Sequence, residues 1–298
     1  MGSCLCIQND HKTTKDRDRD TFPEARIKES PGEYQRPKAA SGELEERPAT
    51  TLESGVIYTG QWKGEKRWGY GVQTWPDGAK YEGQWENGLA NGEGKFTHAD
   101  GDVYSGQWVD DKATGHGTYL HADGSRYTGQ WCDDQKHGKC EEVWADGSHF
   151  EGSYHMGKKH GEGSFRWPEG SWFTGQFQDN EIHGHGTYTW ADGRTYTGQW
   201  QANRMHGNGV FKWRDGRMYT GGYVSDKKEG HGVFSWPDGR CYDGGWKDGR
   251  QDGEGVFRTA KGEYRRGFWR DGKQVAWRSD AWKDGQTPPD NYPEKPTA

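Results

Sequence analysis

The sequence predicts an all-β fold: an elongated, twisted, single-layer meander of stacked β-hairpins, with a disordered N-terminal segment. Three observations predict it. A 23-residue period recurs nine times, aromatic and glycine residues alternate within it, and turn-forming residues stand at fixed places in each copy.

The period is visible on the lead aromatics Tyr58, Tyr81, Tyr104, Tyr127, Phe150, Phe173, Tyr196, Tyr219 and Tyr242. Two places on stands a glycine, from Gly60 to Gly244, and four places on an aromatic, from Trp62 to Trp246. Residues two apart share a face of a strand, so Tyr-x-Gly-x-Trp reads as the first strand of a hairpin. A polar reversal follows, as in Asn87–Gly88, Asp110–Asp111, Asn180, Asn203 and Asp226. These residues tolerate the left-handed backbone that a tight turn requires.

The second strand reads Gly-x-Gly-x-aromatic, for example Gly184, Gly186 and Tyr188, often with a Trp two places further: Trp75, Trp167, Trp190, Trp213 and Trp236. Most units close on Asp-Gly, such as Asp77–Gly78 and Asp192–Gly193, a pair favoured in the primed turns of hairpins. Eighteen strands at about 4.8 Å spacing would extend on the order of 85 Å. The aromatics and all these glycines are expected on one face, with rings lying over glycines that have no Cβ to block them. Thr, Ser, Glu and a recurrent Gln (Gln61, Gln84, Gln107, Gln130, Gln176, Gln199) are expected on the other.

Composition agrees with a repeat architecture. Hydrophobic residues make up only 29%, yet aromatics reach 14% and there are 48 Gly. A conventional aliphatic core is therefore excluded. The formal charge of −6 is spread without a strongly basic segment, which argues against nucleic-acid binding through phosphates. No apolar run spans a bilayer and no secretory signal follows Met1, while the odd set Cys4, Cys6, Cys132, Cys140 and Cys241 suits a reducing compartment.

The unit Tyr-x-Gly-x-Trp, polar turn, Gly-x-Gly-x-aromatic, Asp-Gly resembles the MORN repeat (membrane occupation and recognition nexus). The resemblance covers roughly 70% of the chain. It implies a fold of stacked hairpins and a scaffolding role, as in junctional membrane tethers, ciliary and flagellar components and cortical cytoskeletal scaffolds. Several positions depart from the pattern: Gln73 and Glu142 replace an aromatic, Cys140 a glycine, and Gly222 and Gly245 the recurrent Gln.

Four segments follow: a disordered linker over 1–57, nine repeats over 58–264, a partial capping repeat over 265–286 (Gly267, Trp269, Gly272), and a Pro-rich disordered tail over 287–298. The chain opens Met1-Gly2-Ser3-Cys4-Leu5-Cys6. Gly2 suits N-myristoylation, and Cys4 and Cys6 suit palmitoylation as the second membrane signal that one acyl chain needs. The following residues offer no polybasic alternative, because Lys12, Lys15, Arg17 and Arg19 alternate with Asp10, Asp16, Asp18 and Asp20.

No catalytic set stands out, and no cofactor is expected. His137, His160, His183 and His206 recur one per repeat, but copies two strands apart stand about 9–10 Å from each other, too far to share a zinc ion. Glycine pairs such as Gly92 and Gly94 lie inside strands, with no helix to receive a phosphate. The expected function is a non-catalytic scaffold at the cytoplasmic face of a membrane, at the plasma membrane or cell cortex, held there by acylated Gly2, Cys4 and Cys6. Its protein partner, a helix or extended peptide, is expected along a row formed by Trp167, Trp190, Trp213 and Trp236. Direct phospholipid binding by an acidic array is disfavoured. The alternative is a structural component of a cilium, flagellum or cortical cytoskeleton that uses protein contacts alone.

Overall fold

The computed structural model describes residues 43–286. They form two compact units, residues 43–168 and 169–286, and each is an antiparallel β-meander of hairpins. In repeat two the first strand is Lys80–Glu86 and the second Leu89–Thr97, and the same seven-plus-nine pattern recurs in most repeats. Within each unit the long strands of successive repeats pair in sequence, so neighbouring hairpins are hydrogen-bonded to each other.

The two kinds of turn are distributed differently from the expectation. The polar reversal within each repeat is the primed turn: Asn87 and Gly88 have φ of 58° and 91°, and Asp110 and Asp111 48° and 67°. Both central residues are left-handed, as a type I′ turn demands. The Asp-Gly pairs do not form primed turns. Asp77 keeps a negative φ, Gly78 alone is left-handed at 91°, and Gly78 N–H donates to the Trp75 carbonyl at 3.0 Å. This is a type I turn followed by a glycine bulge, closed by the Asp77 carboxylate accepting from the Ala79 amide at 3.0 Å.

The aromatic face is the core. The lead aromatics from Tyr58 to Tyr242 are at most 1% exposed. Tyr58 meets Trp62 of its own repeat and Trp85 of the next edge-on, at centroid distances of 5.1 and 5.4 Å. The pattern recurs for Tyr81 with Trp85 and Trp108, and for Tyr196 with Trp200 and Tyr223. Each ring therefore bridges two repeats, in the edge-to-face geometry that the ring quadrupole favours. The indole N–H adds a second bridge: Trp108 Nε1 donates to the Gly94 carbonyl at 3.1 Å, and Trp200 Nε1 to Gly186 at 3.1 Å. Trp62 has no preceding repeat, and its buried Nε1 finds no partner among the described residues.

The two glycines of the second strand serve different ends. A Cβ on Gly186 would overlap the Phe173 ring, as expected for a residue covered by an aromatic. Gly184 departs from the expectation that both lie under rings. Its φ is 65°, and a Cβ there would strike the Gln176 carboxamide instead. Gln176 marks a β-bulge, and its Oε1 accepts from the His185 amide at 2.9 Å. The recurrent Gln thus caps the bulge with its carboxamide.

Two boundaries differ from the sequence expectation. Residues 45–51, assigned to the linker, form β1 (Glu45–Thr51), which pairs with β2 (Ile57–Lys63). The Arg47 guanidinium lies 5.0 Å from the Trp62 ring centroid and closes that end of the core. Pro48 and a register shift between Arg47 and Thr50 blunt this edge strand against further pairing. At the other end, strand Glu263–Arg270 is followed by Lys273–Trp277 and Trp282–Lys283, and Trp269 covers Tyr242 at 4.8 Å. Residues 1–42 of the expected linker and the expected tail, 287–298, lie outside the described residues.

Candidate partner-binding surface

Trp190, Trp213 and Trp236 each stand two residues before an Asp-Gly pair, as the first residue of the turn that follows the second strand. All three are half-buried. Each packs on the aromatic two places before it and on the corresponding aromatic of the next repeat. Centroid distances run Trp190–Phe211 5.2 Å, Phe211–Trp213 4.4 Å, Trp213–Phe234 5.3 Å and Phe234–Trp236 4.5 Å. The three tryptophans therefore do form a row, with phenylalanines between them. Trp236 continues it to Phe257 at 6.2 Å.

Trp167 belongs to the 43–168 unit, where it packs 4.6 Å from Phe165, which in turn meets Trp144 at 5.4 Å. In that unit the row position passes through Trp75, His98, His121 and Trp144. His121 is tied to Asp102, whose Oδ2 also accepts from the Tyr119 hydroxyl, both at 3.0 Å. Burial opposes charge on Asp102, but the Ala122 amide, Tyr119 and His121 outweigh it and hold the carboxyl below its ordinary pKa. The histidines make this stretch of the row polar.

Glu142, expected to interrupt the aromatic stripe, is drawn into the core instead. It is 5% exposed, accepts from Lys136 Nζ at 2.8 Å and from the Tyr154 hydroxyl at 2.5 Å, and is half of a buried ion pair. Gln73 is handled in the same way by Arg67. In both repeats the basic partner stands six residues earlier, at the position that is Ala90, Ala113, Ile182 or Met205 elsewhere. Burial, then Glu142, push the Cys140 thiol up to about 12, so it stays protonated and inert near neutral pH.

Lys159 and Lys228 occupy that same position in repeats whose following aromatic is intact. Lys228 Nζ lies within 4.8–5.1 Å of the Trp213, Tyr219, Phe234 and Trp246 centroids. Cation–π attraction replaces the carboxylate there.

The other face carries a shallow cavity of about 250 Å³ lined by His183, His185, Gln199, Trp200 and His206. It offers imidazoles and a carboxamide that is already engaged with the Asn208 amide at 2.8 Å. Among the described residues no group of three or more His, Cys, Asp or Glu side chains is placed to hold a metal ion. Gly2, Cys4 and Cys6 lie outside the described residues.

The MORN-repeat model matches nine consecutive segments: 58–80, 81–103, 104–126, 127–149, 150–172, 173–193, 196–216, 219–239 and 242–264. The chain belongs to the MORN-repeat family. The MORN repeat is a scaffold unit without catalytic machinery of its own, and no catalytic family is matched.

No curated protein matches this MORN chain. Among solved structures, a mutant TCP10 domain of Danio rerio CPAP is 10% identical, covering 78% of this chain and 98% of its own at a TM-score of 0.26. The SAS-4 TCP domain of Drosophila melanogaster, in complex with a proline-rich motif of Ana2, is 14% identical over 72% of this chain and 97% of its own, at 0.29. A catalytically inactive virginiamycin B lyase from Staphylococcus aureus is 10% identical over 78% and 87%, at 0.15. TM-scores this low transfer neither activity nor partner to the MORN array.

One element of this MORN surface carries no aromatic signal in the sequence. The residue after the turn glycine is Ala79, Asp102, Ser125, Ser148 and Ser171 in the earlier repeats, all 9% exposed or less. In the next three it is Arg194, Arg217 and Arg240. The signal was present as the triplet Asp-Gly-Arg at 192–194, 215–217 and 238–240.

Proposed function

We propose that this MORN protein is a non-catalytic scaffold that binds a protein partner along the row Trp190, Trp213 and Trp236, with Trp167 as the corresponding residue of the preceding unit. One observation carries this reading. The lead aromatics are fully buried and spent on the fold, whereas the row tryptophans keep part of their surface in solvent at a regular interval. Repeated, partly exposed Trp is the residue type most enriched at binding hot spots.

The test separates folding from contact. Trp190→Ala and Trp213→Ala are made singly in the full chain, and melting temperature and proximity labelling of neighbours are measured together. Loss of specific labelling at nearly constant melting temperature supports a contact role. Labelling that falls only in step with stability removes it.

The scaffold is further proposed to sit at the cytoplasmic face of a membrane through acylation of Gly2, Cys4 and Cys6. The support is the opening sequence itself, in which a myristoylation glycine is followed by two cysteines as second signals. Gly2→Ala, and Cys4→Ser with Cys6→Ser, should each move the protein to the soluble fraction. Membrane retention of both variants would contradict the anchor and transfer the binding to the repeats. A native protein already soluble would favour an anchor-free component of a cilium, flagellum or cortical cytoskeleton.

A further inference from the structure

Each row tryptophan of the 169–286 unit is built into an identical three-residue device. The guanidinium carbons of Arg194, Arg217 and Arg240 lie 5.3, 5.4 and 5.2 Å from the ring centroids of Trp190, Trp213 and Trp236. In each turn the Arg Nε donates to the Asp carboxylate of the same turn, at 2.7 Å to Asp192, 2.8 Å to Asp215 and 2.7 Å to Asp238. The other oxygen of each carboxylate accepts from the Arg backbone amide at 3.1 Å. The Asp therefore fixes the plane of the guanidinium through Nε. The forked terminal nitrogens, the part suited to a carboxylate, are not used in that bond.

The charge along this edge reinforces the device. Over the three turns and the strand ends that flank them, Arg194, Lys212, Arg214, Arg217 and Arg240 outnumber Asp192, Asp215 and Asp238. The equivalent edge of the 43–168 unit has the opposite sign: Asp77, Asp100, Asp102, Asp123 and Asp146 against Lys80 and Arg126. The same fold thus carries a basic aromatic strip in one unit and an acidic edge in the other.

Spacing restricts the ligand. Successive devices are two strands apart, about 9.6 Å. A polyproline II segment advances about 9.3 Å per three-residue turn and returns every third side chain to the same face. Over three devices it stays in step to well within 1 Å. An extended β-strand sends residue i+3 to the opposite face. An α-helix that repeats its face every seven residues advances about 10.5 Å and drifts roughly 2 Å over the same span.

We propose that this strip receives an acidic peptide segment in the polyproline II conformation, with a carboxylate at every third residue. Each carboxylate is held by one of Arg194, Arg217 and Arg240, and the intervening rings or apolar side chains lie on Trp190, Trp213 and Trp236. The proposal rests on the scaffold reading and names the chemistry of its partner.

The full chain is titrated with a fluorescently labelled peptide of four Pro-Pro-Glu triplets, read by anisotropy at low and physiological salt. Binding is expected, weakened by salt, and reduced roughly tenfold or more by Arg217→Gln, because a charge-assisted pair is lost. Arg217→Lys should recover only part of it, and a melting scan of each variant controls for folding. A peptide of Pro-Pro-Pro-Glu quartets, out of step with the strip, should bind several-fold more weakly. No binding of the triplet peptide, equal binding of triplet and quartet peptides, or equal binding of an Ala-based helix with Glu every seventh residue would overturn the proposal. Vesicles containing phosphatidylserine form a separate arm; adsorption abolished by Arg217→Gln with no peptide binding would assign the strip to an anionic membrane instead. If native labelling depends on Trp213 but not on Arg217, the scaffold reading stands and this proposal falls. If labelling ignores both, both fall.

Discussion

At the scale of single residues, the array tolerates polar intrusions only where their partners are built in. Lys136 and Glu142 are the clearest case. A buried ion pair is a weak source of stability, but removing one member leaves an uncompensated charge and costs roughly 3–5 kcal/mol. Lys136→Met should therefore destabilise by about that amount. Glu142→Phe should cost clearly less, because it recreates the arrangement seen at Lys159 with Phe165 and Lys228 with Phe234. Chemical denaturation of the two single variants compares them directly. Equal losses would contradict the cation–π account.

Asp111 gives a prediction with a definite pH sign. It is 8% exposed, its Oδ1 accepts from the Ala90 amide at 2.6 Å, and its Oδ2 is buried without a partner among the described residues. Burial raises its pKa from 3.8 to about 6. The folded state thus binds a proton that the unfolded state does not between those values. This group's contribution improves as pH falls from about 6 towards 3.8, and it is a cost above 6. Asn203 makes the same bond to the Ile182 amide at 2.7 Å without the charge. Asp111→Asn should raise stability at pH 7 by about 1–3 kcal/mol, with the advantage over the native protein vanishing near pH 4. Paired melting curves across that range measure it.

At the scale of the hairpin, much was legible in the sequence. The lead aromatic, the glycine two places on and the second aromatic define a strand by simple alternation, and their burial follows. The bulge was not legible, because alternation assigns Gly184 and Gly186 to the same face, whereas the inserted residues opposite Gln176 send them to different environments. Turn assignment failed for a related reason. Asp-Gly is compatible with both a primed turn and a type I turn with a glycine bulge, and the choice depends on register. The sequence marks register only indirectly. Repeats eight and nine show what the missing Gln does. With Gly222 and Gly245 in its place, nothing within 4 Å would meet a Cβ on Gly230 or Gly253. The bulge is left without its carboxamide cap, and its geometry is kept by the backbone alone.

The candidate surface was partly legible. The row of tryptophans follows from the period, because equivalent positions in a regular array must align. The arginines beside them were not found, since they occupy a position that is small and buried in five earlier repeats and carries no aromatic signal. Only the three-dimensional neighbourhood, a guanidinium over each indole, gives them meaning.

At the scale of the whole molecule, stability is a sum over neighbours. No hairpin covers its own aromatic face; Tyr58 needs Trp85, Phe173 needs Trp200, and Tyr219 needs Trp246. Repeats coupled in this way behave as a quasi-one-dimensional chain, in which damage is felt locally and fades with distance. The N-terminal and C-terminal additions fit the same logic, since β1 and Trp269 cover core surface that terminal repeats would otherwise expose. The row of tryptophans proposed as the partner surface inherits this property. Trp190 and Trp213 rest on Tyr188, Phe211 and Phe234, which stand on the strands whose glycines Gly186, Gly209 and Gly232 are covered by the lead aromatics Phe173, Tyr196 and Tyr219.

Hydrogen exchange on Gly186→Val tests that claim most directly. The branched side chain would occupy the space of the Phe173 ring, and an overpacked site of this kind costs at least 1–3 kcal/mol. The account predicts lost protection in Trp172–Gln178, Glu181–Thr189 and Thr195–Gln201, including the amides around Trp190 and Trp200, with protection recovering towards Cys241–Lys247. Unchanged exchange around Trp190 and Trp200 would contradict it.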